Sequence, residues 1–113
     1  MAKELNKVSV GLYESHEAVY ELSEEINTIK SGDWYLIPNG INSISIMLVL
    51  AGSSRGRVDI TTDTVENVHN GNPAYLAWSL GTITGTRFIN HPPVTAIRQV
   101  NERGTTKLLV RCQ

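Results

Sequence analysis

The residues of this chain that could do chemistry are three histidines, several carboxylates and many serines, and their spacing assembles none of them into a reaction centre. His16, His69 and His91 lie far apart, and none stands at metal-ligand spacing from another histidine or from the single Cys112. A zinc site would require the fold to gather them; solvation and capping in turns are the ordinary roles of such histidines. Asp59, Asp63 and Glu66 fall within eight positions, and oxygen clusters bind Ca²⁺, but the spacing is not that of an EF-hand loop. A solvated face is the simpler reading of those three. Glu14, Glu17, Glu21, Glu24 and Glu25 read as a charged surface segment, not as paired carboxylates in a cleft. No Gly-x-Ser-x-Gly elbow occurs, and Gly52-Ser53-Ser54-Arg55-Gly56 lacks the Walker spacing and the strand-to-helix setting of a phosphate loop. The expectation is a protein that is not an enzyme, with no cofactor, no metal and no small-molecule substrate.

Two binding chemistries remain. Arg55 and Arg57 flank Gly56, and Arg87, Arg98, Arg103 and Arg111 add to the basic side. On one face with Trp78 or Phe88 they would suit single-stranded nucleic acid. Eleven acids against ten bases, a net charge of -1, weigh against nucleic acid as a partner. Trp34, Tyr35, Tyr75 and Trp78 could form a carbohydrate platform, although core packing is the commoner use of such rings.

The elements that must position these groups read as short strands. Ile44, Ile46, Leu48 and Leu50 alternate along one face of residues 42–50, and Met47 and Val49 make the other face apolar at one end. A strand apolar on both faces is covered there by something else, or else packs wholly in the core. Residues 57–62 repeat the rhythm, and the five-residue loop 52–56 predicts a hairpin between the two. Further strands are expected at 7–12, 34–37, 74–79, 82–84, 94–100 and 107–112, the last two joined as a hairpin through Asn101-Glu102-Arg103-Gly104. Ser31-Gly32-Asp33 reads as a turn and residues 63–72 as a polar connection. Of the neighbours Trp34 and Tyr35, one should enter the core and the other face outward. Strand is the preferred reading of residues 17–22, but helix competes with it over residues 14–30, because Val19, Leu22, Ile26 and Ile29 also fall at helical spacing and Ser23-Glu24-Glu25 resembles a helix start.

Seven to nine short strands in 113 residues predict an all-β fold, a β-sandwich of jelly-roll or immunoglobulin-like type, with one short helix in residues 14–30 as the variant. The absence of a Cys-Trp-Cys framework argues against a true immunoglobulin domain. Residues 1–6 read as a flexible N-terminal arm and 7–113 as a single domain. At 41% hydrophobic and 19% charged residues the chain can bury one core. Its longest apolar run is far short of the roughly 20 residues that span a bilayer, and the charged start lacks the apolar stretch of a secretory signal. No membrane partner and synthesis in the cytoplasm are the expectations. Cys112 cannot form an internal disulfide and reads as a strand-end thiol, not a nucleophile.

The stretch Asn90-His91-Pro92-Pro93-Val94-Thr95-Ala96-Ile97-Arg98, followed by Glu102-Arg103-Gly104-Thr105-Thr106-Lys107-Leu108-Leu109-Val110-Arg111, resembles the ending of small tailed-phage virion structural proteins. In these a Pro-x-Thr-Ala-x-Arg strand leads through a glycine turn to a final strand. The resemblance covers the last quarter of the chain closely and the rest in texture. It implies a capsid decoration (cement) protein at the virion surface, or a tail or neck component, with no catalytic residues. Its partners would be the major capsid protein and copies of itself. The residues assigned to partner binding are the arm residues Lys3, Leu5 and Lys7, the two-faced strand end Met47 and Val49, and the turn residues Ser54, Arg55 and Arg57.

Overall fold

The computed structural model describes residues 1–8, 19–41, 43–78, 85–90 and 94–113, with 85–90 described by their backbone. In chain order the elements are β1 (Lys3–Glu4), β2 (Asn6–Val8), β3 (Val19–Ile26), β4 (Lys30–Leu36), β5 (Ser43–Leu50), β6 (Arg55–Thr61), helix α1 (Val65–His69), β7 (Leu76–Trp78), β8 (Gly85–Asn90), β9 (Ala96–Arg103) and β10 (Thr106–Cys112). Two five-stranded sheets result: sheet A in the order β1-β4-β9-β6-β7 and sheet B in the order β2-β3-β10-β5-β8. All neighbours are antiparallel except β1 and β4. From β3 onward each strand lies in the opposite sheet from the one before it, save where α1 intervenes between β6 and β7. This is the winding of a jelly roll, in which β3-β10-β5-β8 faces β4-β9-β6-β7.

Alternation of apolar residues builds the core. β5 sends Ile44, Ile46 and Leu48 inward and β10 sends Leu108, Val110 and Cys112, while sheet A answers with Tyr35, Val58 and Ile97. A second, smaller cluster lies on the far side of sheet A, where Val68 of α1 covers Trp34 and Ala96. Tyr35 therefore enters the main core as one of the aromatic pair should, while the outward-facing Trp34 is itself buried, at 6% exposure, under the helix.

Several expectations give way. Residues 52–56 and 101–104 do not close hairpins: β5 and β6, like β9 and β10, lie in opposite sheets. A hairpin would need a free edge on β5, and both its edges are taken, by β10 and by β8. Ser31-Gly32-Asp33 is not a turn but a bulge inside β4, where the register against β9 shifts between Ser31 and Trp34. A side chain at Gly32 would lie 2.8 Å from Glu24 Oε1 and 3.1 Å from the Gln99 carbonyl. Residues 19–26 form a strand, so the helix considered for 14–30 does not occur there, and 14–18 lie outside the described residues. The helix stands instead at Val65–His69, inside the stretch read as a polar connection, with Thr64 as its N-cap accepting from the Asn67 amide at 3.2 Å.

Residues 1–6 are not a free arm. Lys3–Glu4 pairs in parallel with Tyr35 and Leu36 in sheet A, and Asn6–Val8 pairs with β3 in sheet B. Between them Leu5 crosses from one sheet to the other and enters the core at 6% exposure, which closes one open side of the sandwich. Replacing Leu5 with alanine should cost about 2–5 kcal/mol in a urea titration; a loss within experimental error would show that this segment does not belong to the folded core.

Candidate functional site

Three described turns at one end of the sandwich are bonded to one another. The turns after β3, β5 and β9 meet there. Asn101 Nδ2 donates to the Thr28 carbonyl and to the Gly104 carbonyl, both at 2.7 Å. Ser54 Oγ donates to the Ala51 carbonyl and accepts from the Thr105 amide at 2.9 Å. Arg103 Nε donates to the Ser53 carbonyl at 2.8 Å. Gly104 has φ +71, and a Cβ on it would fall onto Ser54 Oγ, so conformation and space both demand glycine. Ser54, assigned to a partner, is in fact 4% exposed and spends its hydroxyl on these backbone groups. Arg55 is exposed and paired with Glu102 at 3.5 Å.

The outer face of sheet A holds a buried charge. Asp59 is fully buried: Oδ1 accepts from Arg57 Nε at 2.9 Å, and Oδ2 accepts from Arg98 Nη2 at 2.6 Å and from Nε at 3.2 Å. The Arg98 guanidinium lies 4.5 Å from the Trp34 ring centre and 4.8 Å from that of Tyr75, and the two rings meet edge to face at 6.0 Å. Glu102 adds a second carboxylate 3.8 Å from Arg57. Arg57 and Arg98 thus do share a face with aromatics, the geometry asked of a nucleic-acid binder, but their charge is spent on Asp59 and Glu102. Arg57 is only partly accessible as a partner contact. Trp34 offers no sugar platform, being buried.

Sheet B presents its outer face differently. Along β5 and β10 the residues that alternate with the core are Ser45, Met47 and Val49 and Lys107, Leu109 and Arg111, in register with Glu21, Ser23 and Glu25 of β3. Met47, Val49 and Leu109 are half-buried and belong to neither core cluster. They form an apolar patch flanked by charge, with Arg111 and Glu21 3.9 Å apart. A shallow groove of ≈ 500 Å³ runs over this face among Asn6, Val8, Glu21, Ser45, Met47 and Arg111. Met47 and Val49 therefore remain partner candidates. Lys7 is exposed on β2, whereas Lys3 pairs with Asp33 at 2.9 Å and Leu5 is core. The eight assigned residues are not one site: Met47 and Val49 sit on a sheet face, Ser54 and Arg55 at the turn end, Arg57 on the opposite face, and Lys3, Leu5 and Lys7 along a side.

The remaining titratable groups have local roles. Asp63 Oδ1 accepts from the Thr64 amide and from Asn67 Nδ2, and Oδ2 from the Ala74 amide, contacts that hold its carboxyl below its ordinary value. Asp59, Asp63 and Glu66 are not gathered: Asp59 is buried with its arginines, while Glu66 is exposed on α1. Among the described residues, no group of three or more His, Cys, Asp or Glu side chains is placed to hold a metal ion. His69 is exposed in the last turn of α1; His16 and His91 lie outside the described residues, as do Glu14 and Glu17. Cys112 is fully buried, and burial pushes its thiol up to about 11. Glu24 accepts from the Tyr35 hydroxyl at 3.0 Å, yet burial raises its carboxyl above the ordinary 4.5.

Sequence reasoning missed the Asp59 cluster. Arg57-x-Asp59 on an alternating strand puts both residues on one face and was a usable signal, while Arg98, 39 positions away, gave none. Asp59→Ala should cost about 3–5 kcal/mol in chemical denaturation because it takes the carboxylate from Arg98 and leaves Arg57 with Glu102 alone; a loss below about 1 kcal/mol would mean that water takes up the charge. For Glu24, the contribution of the protonated carboxyl is complete below pH 4.5 and is lost as pH rises through the higher folded value. Glu24→Gln should thus melt at a higher temperature than wild type at neutral pH and show a flatter pH profile above 4.5; matching profiles would remove this side chain as the source.

No family model matches the chain, and no curated protein is significantly similar to it in sequence, so the geometry of its faces and ends carries the functional reading.

Proposed function

We propose that this chain is a non-enzymatic phage virion structural protein, a decoration protein that binds major capsid protein subunits at the capsid surface and braces them. The observation that carries the reading is the outer face of sheet B, where Met47 and Val49 of β5 and Leu109 of β10 form a half-buried apolar patch, with Lys107 and Arg111 on either side of Leu109 along β10 and Glu25 and Glu21 beyond them on β3. Apolar residues at the centre and charge at the rim are the usual anatomy of a docking surface. The face lies on an ordered five-stranded sheet, so little conformational entropy is lost when a partner seats on it. The virion-like ending of residues 90–111 supports the setting. The jelly-roll winding supports it by analogy, since viral capsid domains use that architecture among many others.

Bridging works by repetition. Each copy buries modest area on neighbouring subunits, and many copies together raise the free energy needed to open the shell. Sheet A contributes rigidity instead of contact, because its outer face is closed over Asp59 and Trp34.

The test is co-sedimentation of the full chain with expanded capsids, read as bound mass against free concentration. Wild type should saturate at a fixed ratio, and Met47→Glu or Val49→Glu should weaken binding at least about tenfold, each charge being carried into an apolar contact. Absence of saturable binding by wild type sinks the decoration reading. A defined oligomer that ignores shells moves the protein to a tail or neck position.

A further inference from the structure

The two ends of the sandwich differ in charge and shape. At the turn end Ile29 is 78% exposed, and the cations Lys30, Arg55 and Arg103 stand on the turns that Asn101, Ser54 and Arg103 bond together. Arg55 and Arg103 are directly opposite each other in the β6–β9 register, a like-charge pairing that costs stability. Glu102 relieves it in part, through Arg55. Arg103 is held by the Ser53 carbonyl and Arg55 by Glu102, so both guanidinium groups stand exposed at a fixed place beside a solvated isoleucine, where a partner can reach them.

The opposite end is the complement. A cleft of ≈ 600 Å³ opens there among Leu36, Ile37, Ile41, Val65 and Val94, with Glu4 at its lining and Val65 half-exposed. Asp63 and Glu66 flank Val65 in the chain, and the lowered Asp63 carboxyl stays ionised. The described loops at this end, residues 37–41, 62–75 and 94–95, contain no lysine or arginine. Of the nearby lysines, Lys3 is engaged by Asp33 and Lys7 sits on β2 outside the lining.

We propose that copies of this chain join head to tail, the turn end of one copy placing Ile29 in the cleft of the next and setting Lys30, Arg55 and Arg103 against Glu4, Asp63 and Glu66. The contact is heterologous, so it builds a ring or an open row and does not stop at a two-fold dimer. This rests on the reading of the chain as an assembly protein, for which it names the contact between copies. Ion pairs at a solvent-accessible rim make the association sensitive to salt, as screening shortens from about 10 Å at 0.1 M to about 3 Å at 1 M.

The experiment is sedimentation velocity of the full chain over a range of concentrations at low and high salt. Wild type should grow in mean mass with concentration at low salt and lose most of that growth at high salt. A turn-end variant, Ile29→Asp with Arg55→Glu, and a cleft variant, Glu4→Lys with Val65→Lys, should each associate at least about tenfold more weakly. Mixed together, the two should pair with each other, the intact turn end of the cleft variant seating in the intact cleft of the turn-end variant, which shows that each variant is folded and blocked at one end only. Each variant mixed with wild type should instead cap wild-type rows at one end and shorten them. Independently of any substitution, zero-length carbodiimide cross-linking of mixed light and heavy-isotope wild type should join Lys30 of one copy to Glu4 or Glu66 of another. Wild type that remains a monomer at low salt, or cross-links confined to Lys107 with Glu21 or Glu25, would overturn the proposal. So would selective binding of the turn end to a nucleic-acid probe without self-association. Rows that form while shells are ignored sink the decoration reading alone; shells bound by a strictly monomeric chain sink the head-to-tail contact alone.

Discussion

The side-chain amide of Asn101 is the junction on which the winding depends. Each strand that changes sheets must turn through an arch at the end of the core, and backbone groups in an arch have no ladder partner. A buried group left unpaired costs about 1–3 kcal/mol. Asn101 answers two of these with one nitrogen, giving its two hydrogens to Thr28 O and Gly104 O. Its orientation is set from behind: Gln99 Nε2 donates to Thr106 Oγ1 at 2.7 Å, and the Thr106 hydroxyl donates to Asn101 Oδ1 at 3.2 Å. With the carbonyl oxygen occupied, only the NH₂ group can face the turns. Gln99 Oε1 has no partner among the described residues, so the network is bound at its turn end.

A second polar cluster, around Asp59, solves a different problem. A carboxylate with no exposed surface is tolerated only because three N–H donors reach it and two cations neutralise it. Such a cluster is weak evidence for stability, since desolvation offsets much of the attraction. What it does secure is position: the Arg98 guanidinium lies 4.5 Å and 4.8 Å from the ring centres of Trp34 and Tyr75, and those contacts hold the loop carrying Tyr75 over the sheet. Together with α1 it seals the outer face of sheet A. Sheet B has no corresponding cover among the described residues, and its apolar patch remains open to contact.

Period-two alternation made the core of β5 and β10 legible, and turn residues marked most strand ends, so the all-β sandwich could be read from the chain. What local pattern does not encode is which sheet a strand joins. A glycine-flanked loop of a few residues suits a hairpin and an arch equally; the choice falls to edges already occupied on β5, a tertiary fact. The same limit hid the bulge at Gly32, which looks like a turn until β9 is laid beside it. Parity showed that one of Trp34 and Tyr35 must leave the main core but not which, and it gave no sign that a helix of five residues would bury the outward one, Trp34. The candidate site shows the same division. Met47 and Val49 lie on the outer face of sheet B, where strand parity puts them. Leu5 and Ser54 were misassigned because their exposure depends on distant partners: the side of the sandwich for one, the Thr105 amide for the other.

The first eight residues show how one segment ties these features together. A chain that pairs with β4 on one side of Leu5 and with β3 on the other cannot be lifted from one sheet without disturbing the second. Below it lie the Tyr35 hydroxyl and the half-buried Glu24 carboxyl, whose Oε1 has no partner among the described residues. The segment therefore covers a site where burial already works against charge, and the Lys3–Asp33 pair above it supplies an outer cation but no hydrogen bond to that oxygen. Glu4, at the end of β1, is placed by the same pairing at the lining of the end cleft. Anchoring by Leu5 is thus what gives the acidic end a fixed geometry, and a fixed geometry is what allows a weak, charge-led contact to be specific.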